Sequence, residues 1–549
     1  MSQQKKDLLN VMLVIVTGAL FFLPFLGVVH LFDWDECNFA ESAREMLVTG
    51  NYSCVQIDYQ PFFEKPPLFF WLQAASMEMF GVNEFAARFP NAITGIITLV
   101  TFFLMGRKMY NHRFGFMWAL CMLGSFLPYL YFKSGIIDPV FNYFIFLGIY
   151  FLISLIEKPS SHSGKYAVLS GIFIGLATLT KGPVALLILL LVTVVYWVIN
   201  RFRKIISVKH LLFFIISFLL IAGVWFMVDI MDNGIAFFHQ FISYQLDLLL
   251  HSVAGHGGPF YYHFVVILLG CFPMSIFALP ALIRNYGEET PLNFKRWMLI
   301  LFWVVMILFS VVTTKIVHYS SLAYFPLSFL AAKVIYDTTA LDKKFPRWVQ
   351  FIILLIGSTF SLVFFAAPWL AKHKELLTPY VKDTFSAACL QTDVKWNGSE
   401  GLIGICYFLF IAAGFILLWR NQFIRGVLTI FGASACFLLI YLRLLVPKIE
   451  QYTQGPAIHF YEDLRGEKVY VNTFGFKSYA PYFYFQKPPG DDSLSHSEKW
   501  LLQGHIDRPA YFVVKITSID AIEKYPGIHL LYKEGGYAFY VREAKVNGE

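Results

Sequence analysis

Apolar runs of membrane-spanning length, separated by short polar loops, recur along nearly the whole of this chain. A helix of about 20 residues crosses the hydrocarbon core of a bilayer. Runs of that kind fall near 8–32, 85–106, 114–132, 139–157, 166–180, 184–199, 211–229, 261–283, 297–313, 319–336, 348–370, 401–419 and 426–446. Composition agrees, with 57% of the residues apolar and 14% charged, where a soluble domain carries roughly 25% charge. Such a chain cannot cover its own surface with polar groups. The expected fold class is therefore a polytopic α-helical membrane protein with about 13 transmembrane helices. Disordered, collagen-like and disulfide-scaffold classes are excluded. The net charge of +7 implies no nucleic-acid partner, because the basic residues lie in loops between apolar runs.

The first run, Leu8 to Phe32, is too long for a signal-peptide core and lacks a small-residue cleavage site, so it reads as a retained anchor. The two short runs around Lys181 read as a broken or re-entrant element. Lys and Arg set the orientation. They collect in alternate loops, such as Arg107, Lys108 and Arg113, then Arg201, Arg203 and Lys204, while 229–263 holds none. That places the amino terminus in the cytoplasm and, with thirteen spans, everything beyond about Val446 outside. Residues 1–446 form the expected membrane domain, with an external segment at 33–84. Residues 447–549 change character, with charge, turns and strand-like runs "KVYVN", "AYFVVKI" and "YAFYV", and read as a small external α/β domain. Cys37 and Cys54 share one external loop, which leaves a bridge between them open.

Chemistry-bearing residues gather at the outer ends of spans. Asp35 and Glu36 stand together at a membrane exit, where low dielectric makes adjacent acids costly unless a cation or substrate uses them. Glu64 and Lys65 lie in the aromatic, proline-rich "FFEKPPLFFW", where the lysine suits a lipid phosphate and the glutamate a metal or the lysine itself. Asp138 opens a span in "IIDPVFNYF" and reads as an N-cap before Pro139. Lys181 reads as a snorkelling lysine and His256 as a loop residue before a span. In "TTKIVHYSSLAYFPLS", Lys315, His318 and Tyr319 mark another outer boundary, where phosphate binding competes with interfacial anchoring. Charge at span mouths rather than span centres favours an interfacial membrane enzyme over an ion-coupled transporter, which would carry ionisable groups near the midplane. A transporter of lipid or sugar is the alternative from another class.

Six motifs, "DECNFAESAREML", "FEKPPLFFW", "IIDPVFNYF", "GLATLTKGPVALL", "HGGPFYYH" and "TTKIVHYSSLAYFPLS", occur in this order. Their layout resembles the GT-C type glycosyltransferases that use polyprenyl-phosphate sugars, most closely the ArnT-like branch, the lipid A 4-amino-4-deoxy-L-arabinose transferases, cousins of the protein O-mannosyltransferases. The resemblance implies a GT-C fold with an external α/β tail, in a bacterial inner membrane, with its active site on the periplasmic side. It implies an undecaprenyl-phosphate-linked sugar as donor, lipid A or another envelope glycan or protein as acceptor, and no nucleotide. Matched residue by residue, Asp35, Glu36 and Asp138 are expected to be catalytic, and Lys65, Lys315 and Tyr319 to bind the donor phosphate. Glu64 and His256 match a pair able to hold a divalent metal, expected to be zinc. After the acidic pair the ArnT-like pattern reads D-E-x-R-Y, whereas Asn38 and Phe39 stand here, so one cation of that pattern is missing.

Overall fold

The structure is a computed structural model, and it describes residues 3–235, 239–243, 257–283, 290–341, 343–489 and 493–544. It is mostly helical. In chain order come α1 (Gln3–Phe22), α2 (Asp35–Thr49), a two-stranded hairpin of β1 (Gln56–Ile57) and β2 (Gln60–Pro61), α3 (Leu68–Phe80), α4 (Glu84–Met109), α5 (His112–Leu123), α6 (Phe126–Tyr131), α7 (Asp138–Glu157), α8 (Ser163–Lys181) and α9 (Val184–Ile199). Later helices include Phe294–Val311, Tyr324–Ala340, Arg347–Lys372, Leu402–Trp419 and Phe423–Leu444. Eight helices among the described residues are long and apolar enough to cross a membrane, so the chain is a multi-pass membrane protein.

Sequence chemistry explains where these helices begin and end. Asn83 and Asn111 cap α4 and α5, each side-chain oxygen accepting from a backbone N–H three residues on, which satisfies an orphan donor of the first turn. The run around Lys181 resolves into two separate helices. Gly182 breaks it at a φ of +116°, and Pro183 precedes the next helix. The first apolar run does not stay helical to Phe32: α1 stops at Phe22. The chain then winds without regular structure to Trp34, and its carbonyls need other partners at the membrane edge. Two cations supply them. Lys133 donates to Phe22 O at 3.0 Å and to Pro24 O, and the Arg88 guanidinium donates to Leu26 O, Val29 O and His30 O at 2.7, 2.6 and 2.9 Å.

The core of the bundle is aromatic. Trp118 stacks on Phe102 at 4.4 Å and Trp297 on Tyr196 at 3.8 Å, arrangements that add to plain area burial. The tail carries a four-stranded sheet of β3 (Tyr470–Phe474), β4 (Ala510–Lys515), β5 (Ile528–Glu534) and β6 (Tyr537–Arg542), in the order β3-β4-β6-β5. β3 and β4 run parallel and the other pairs antiparallel. The three strand-like runs of the sequence are β3, β4 and β6. β5 was missed because its face is mostly exposed and its sequence does not alternate.

The tail packs on α2. Cys37, Ala40 and Ala43 of that helix share one apolar cluster with Ile458, Tyr461, Phe483, Tyr484 and Phe539. Cys37 is buried in this contact, and both Cys37 and Cys54 are free thiols.

Candidate functional site

Asp35 opens α2, with a side chain 45% exposed. Its neighbour Glu36 is buried and faces the other way. Arg88 donates to both Glu36 oxygens, at 3.0 and 2.7 Å, and the backbone N–H groups of Phe32, at 2.9 Å, and Gly135 donate to them as well. Burial alone would raise the Glu36 carboxyl, but Arg88 and these hydrogen bonds hold it below the usual carboxylate range. The acidic pair of the sequence is thus divided. Asp35 faces a site, while Glu36 and Arg88 fasten the winding segment 23–34 to α4 and to the turn before α7.

Asp138 is the first residue of α7, but it does not act as an N-cap: the capping position is Ile137, with no side-chain bond. Its Oδ1 instead receives Lys181 Nζ at 2.5 Å. Asp138 Oδ2 is buried and has no hydrogen-bond partner among the described residues. Lys181 ends α8 as Asp138 begins α7, so each charge sits at the helix terminus whose dipole favours it. His318 Nε2 lies between the two aspartates, 3.6 Å from Asp35 Oδ2 and 3.8 Å from Asp138 Oδ2. Lys181 Nζ also lies 5.3 Å from the centre of the Tyr319 ring. Lys65 belongs to the same field. Burial holds its ammonium below the usual lysine range, assisted by Lys181 and opposed by Glu64, Asp35 and Asp138.

One arrangement differs from expectation. Lys315 does not extend toward this cluster. Its ammonium donates to Phe309 O, Ser310 O and Val312 O, at 3.0, 2.7 and 2.5 Å, at the carboxyl end of helix Phe294–Val311. All three of its protons are used as a helix cap, which leaves none for a donor phosphate. Lys181, read from sequence as snorkelling, takes the central place instead. Its signal was an unbalanced charge closing an apolar run, with Asp138 the other membrane-edge charge able to match it. The place of His318 between two aspartates, and that of Arg88 against Glu36, are visible only in the fold.

Glu64 lines a cleft of about 770 Å³ between residues 57–64 and the tail. His256 lies outside the described residues, so its distance from Glu64 is undefined. Among the described residues one other group could ligate a metal, His30, Glu84 and Glu462, where His30 Nδ1 pairs with Glu450 at 2.8 Å.

Asp33 ties the site to the tail. Its Oδ1 accepts from Trp34 N at 2.8 Å and from Tyr479 N at 2.9 Å. Between these contacts Trp34 holds a φ of +77°, an uncommon conformation for a bulky residue, immediately before Asp35.

Comparison with known proteins agrees with this architecture. The crystal structure of ArnT from Cupriavidus metallidurans bound to undecaprenyl phosphate superposes with a TM-score of 0.75, covering 98% of this chain and 99% of that one at 18% identity. The chain is therefore a helical membrane protein of the GT-C fold, like ArnT. Residues 64–226 match the family described as dolichyl-phosphate-mannose-protein mannosyltransferase. Two curated relatives are both named undecaprenyl phosphate-alpha-4-amino-4-deoxy-L-arabinose arabinosyl transferase. The protein from Wigglesworthia glossinidia brevipalpis is 27% identical over 352 residues, and that from Edwardsiella ictaluri 28% over 365. These alignments cover 63% and 64% of this chain and 62% and 65% of the relatives, so the chain matches a little under two thirds of their length. The ArnT-like resemblance thus holds in both sequence and fold.

Proposed function

We propose that this protein is an inverting glycosyltransferase that moves a sugar from undecaprenyl phosphate to lipid A or a related envelope acceptor. The observation that carries the reading is the exposed Asp35 facing the Asp138–Lys181–His318 network beside Lys65, in a fold shared with ArnT. The names of the relatives support the donor and the sugar, 4-amino-4-deoxy-L-arabinose.

The reaction is one in-line displacement. An acceptor oxygen attacks the anomeric carbon, the bond from that carbon to the phosphate oxygen breaks, and undecaprenyl phosphate leaves with the electron pair. Lys65 offsets the charge that develops on the leaving phosphate, and that negative charge in turn favours the protonated ammonium against its burial. A hydroxyl acceptor passes its proton to Asp35. An already ionised phosphate acceptor has no such proton, and Asp35 then orients the attacking oxygen. Asp138 Oδ2, buried and without a donor among the described residues, accepts from a sugar hydroxyl while Lys181 fixes its other oxygen. Glu36 acts at one remove, by fixing the start of α2. A divalent ion such as zinc would draw on Glu64 and His256, two ligands where a closed structural site takes four, and would offset charge near the phosphate.

The same reading takes thirteen spans, with residues 1–446 as the membrane domain and 447–549 as a periplasmic α/β domain. It places the amino terminus in the cytoplasm and the site on the periplasmic side of a bacterial inner membrane. The distribution of Lys and Arg among the loops supports that orientation.

Mass spectrometry of lipid A from cells with the intact gene, without it, and with Asp35→Asn tests the proposal. A mass increment present only with the intact protein is expected, and its size identifies the sugar. Identical lipid A in all three strains would overturn the lipid A acceptor and move the reaction to protein or to another glycan.

A further inference from the structure

The cleft that Glu64 lines is not explained by the acid–lysine cluster. Its volume, about 770 Å³, falls in the roughly 300–1,000 Å³ range of small-ligand sites. Residues 57–64 form one wall, and loop 472–479 with Tyr482 of the tail forms the other. That loop leaves the carboxyl end of β3, where β3 runs parallel to β4. Crevices outside the carboxyl ends of parallel strands are where open α/β sheets bind ligands. Gly475 makes the turn possible, with a φ of +76° and Ser518 Oγ only 2.6 Å from where a Cβ would stand.

The lining selects a ligand class. Phe62, Phe476 and Tyr482, all half-buried, contribute aromatic surface, and Gln60, Glu64 and Glu498 contribute amide and carboxylate groups. Sugar rings match that mixture, with C–H faces for the aromatics and hydroxyls for the amides and carboxylates. A phosphate does not. Lys487 and His496 are already engaged by Asp58, at 2.5 and 2.6 Å, and the one lysine of the lining among the described residues, Lys477, faces three carboxylates of the same lining, Asp58, Glu64 and Glu498, whose summed charge repels an anion. Lys477 lies over the rings of Trp34 and Tyr479, at 5.4 and 5.0 Å, bridging the loop to the residue that precedes Asp35.

We propose that this cleft binds a neutral saccharide portion of the acceptor, so that the acceptor is recognised by its sugar rings rather than by a phosphate. The inference rests on the transferase reading above and sharpens it. The cleft reaches the site by two short routes. Glu64 in its wall is followed in sequence by Lys65, and Tyr479 in the opposite wall meets Trp34 edge-on at 5.6 Å. A saccharide held there is joined to the Asp35 site through these two segments.

Saturation-transfer NMR on the full-length protein in nanodiscs tests this, with N,N′-diacetylchitobiose as the neutral probe and inorganic phosphate as competitor. The expected result is a disaccharide signal that excess phosphate leaves intact and that weakens roughly tenfold, about one lost contact, in Tyr482→Ala and in Gln60→Ala. Gln60 is exposed, so its variant separates binding from folding. Absence of the signal, its displacement by phosphate, or signals in both variants as strong as the parent protein's would overturn the inference. Transfer of sugar from the undecaprenyl-phosphate donor to added lipid A is followed in the same samples. Transfer without saccharide binding sinks the cleft alone, whereas saccharide binding without any transfer sinks the transferase reading.

Discussion

Two charge clusters meet on α2, and they are built on opposite principles. Asp35, with Asp138, Lys181 and His318, keeps an exposed carboxylate, a buried oxygen without a hydrogen-bond partner among the described residues, and contacts of 3.6 and 3.8 Å that a ligand could tighten. Glu36 and Arg88 sit on the adjoining face, with every Glu36 oxygen engaged and the guanidinium divided between a carboxylate and three carbonyls. A saturated cluster holds geometry and an unsaturated one is ready for chemistry. One step along a helix separates the two, because successive side chains point about 100° apart.

The contrast can be broken experimentally. The largest effect is expected from Asp35→Asn, with turnover down about 10²–10⁴-fold, the range for loss of a general base. Thermal unfolding should be unchanged; a variant that unfolds early would move Asp35 into the structural cluster. Next, Arg88→Met should destabilise the protein by about 3–5 kcal/mol, since it strands a buried carboxylate. Pairing it with Glu36→Leu should recover part of that loss, measured by detergent-resistant melting. If Glu36→Gln lowers turnover while leaving the melting point untouched, the division drawn here is wrong.

The lysines give a third contrast. Lys181→Met should slow turnover by about 10–10³-fold, as for loss of an oriented charge at a reacting centre. Lys315→Met should leave turnover alone and reduce stability by about 1–3 kcal/mol, the range for hydrogen bonds to a charged group. Steady-state assays and melting curves on both variants decide it, and an inactive but stable Lys315→Met would return that residue to the donor site.

The last contrast concerns pH. Burial first, and then the Glu41 carboxylate, push Glu45 up to about 9. An acid whose folded value is raised contributes stability below its unfolded value, near 4.3, and loses it as pH rises toward the folded value. Glu45→Gln should therefore match the parent protein near pH 5 and become the more stable of the two toward pH 9. Parallel melting curves across that window would refute this if the two proteins stay offset by a constant amount.

The sequence made the membrane class legible, because apolar length reflects a physical thickness. It also marked Asp35, Lys65 and Asp138, since charge at a span mouth needs a reason. It misjudged partners. Lys315 and Lys181 each close an apolar stretch, and only the fold decides which one meets a carboxylate and which caps a helix. The end of α1 was misplaced by ten residues for a related reason. Residues 23–32 are apolar enough to span, yet their carbonyls are satisfied by Lys133 and Arg88, far along the chain. The cleft was invisible, because its walls are separated by more than four hundred residues.

That separation bears on how the protein comes into being. The hydrogen bonds from Tyr479 to Asp33 and from Gln454 to Leu31, and the tail's packing on α2, join segments about 420 to 450 residues apart. During synthesis the aspartate near the beginning of the chain is translated early, but its setting is completed only when the last hundred residues have been translated and have folded back over it. A nascent or truncated chain can insert into a membrane and still lack a finished site. Loss of residues 447–549 would remove the hydrogen bonds from Tyr479 and Gln454 and expose the apolar face of α2, so the position of Asp35 depends on a partner folded from distant sequence.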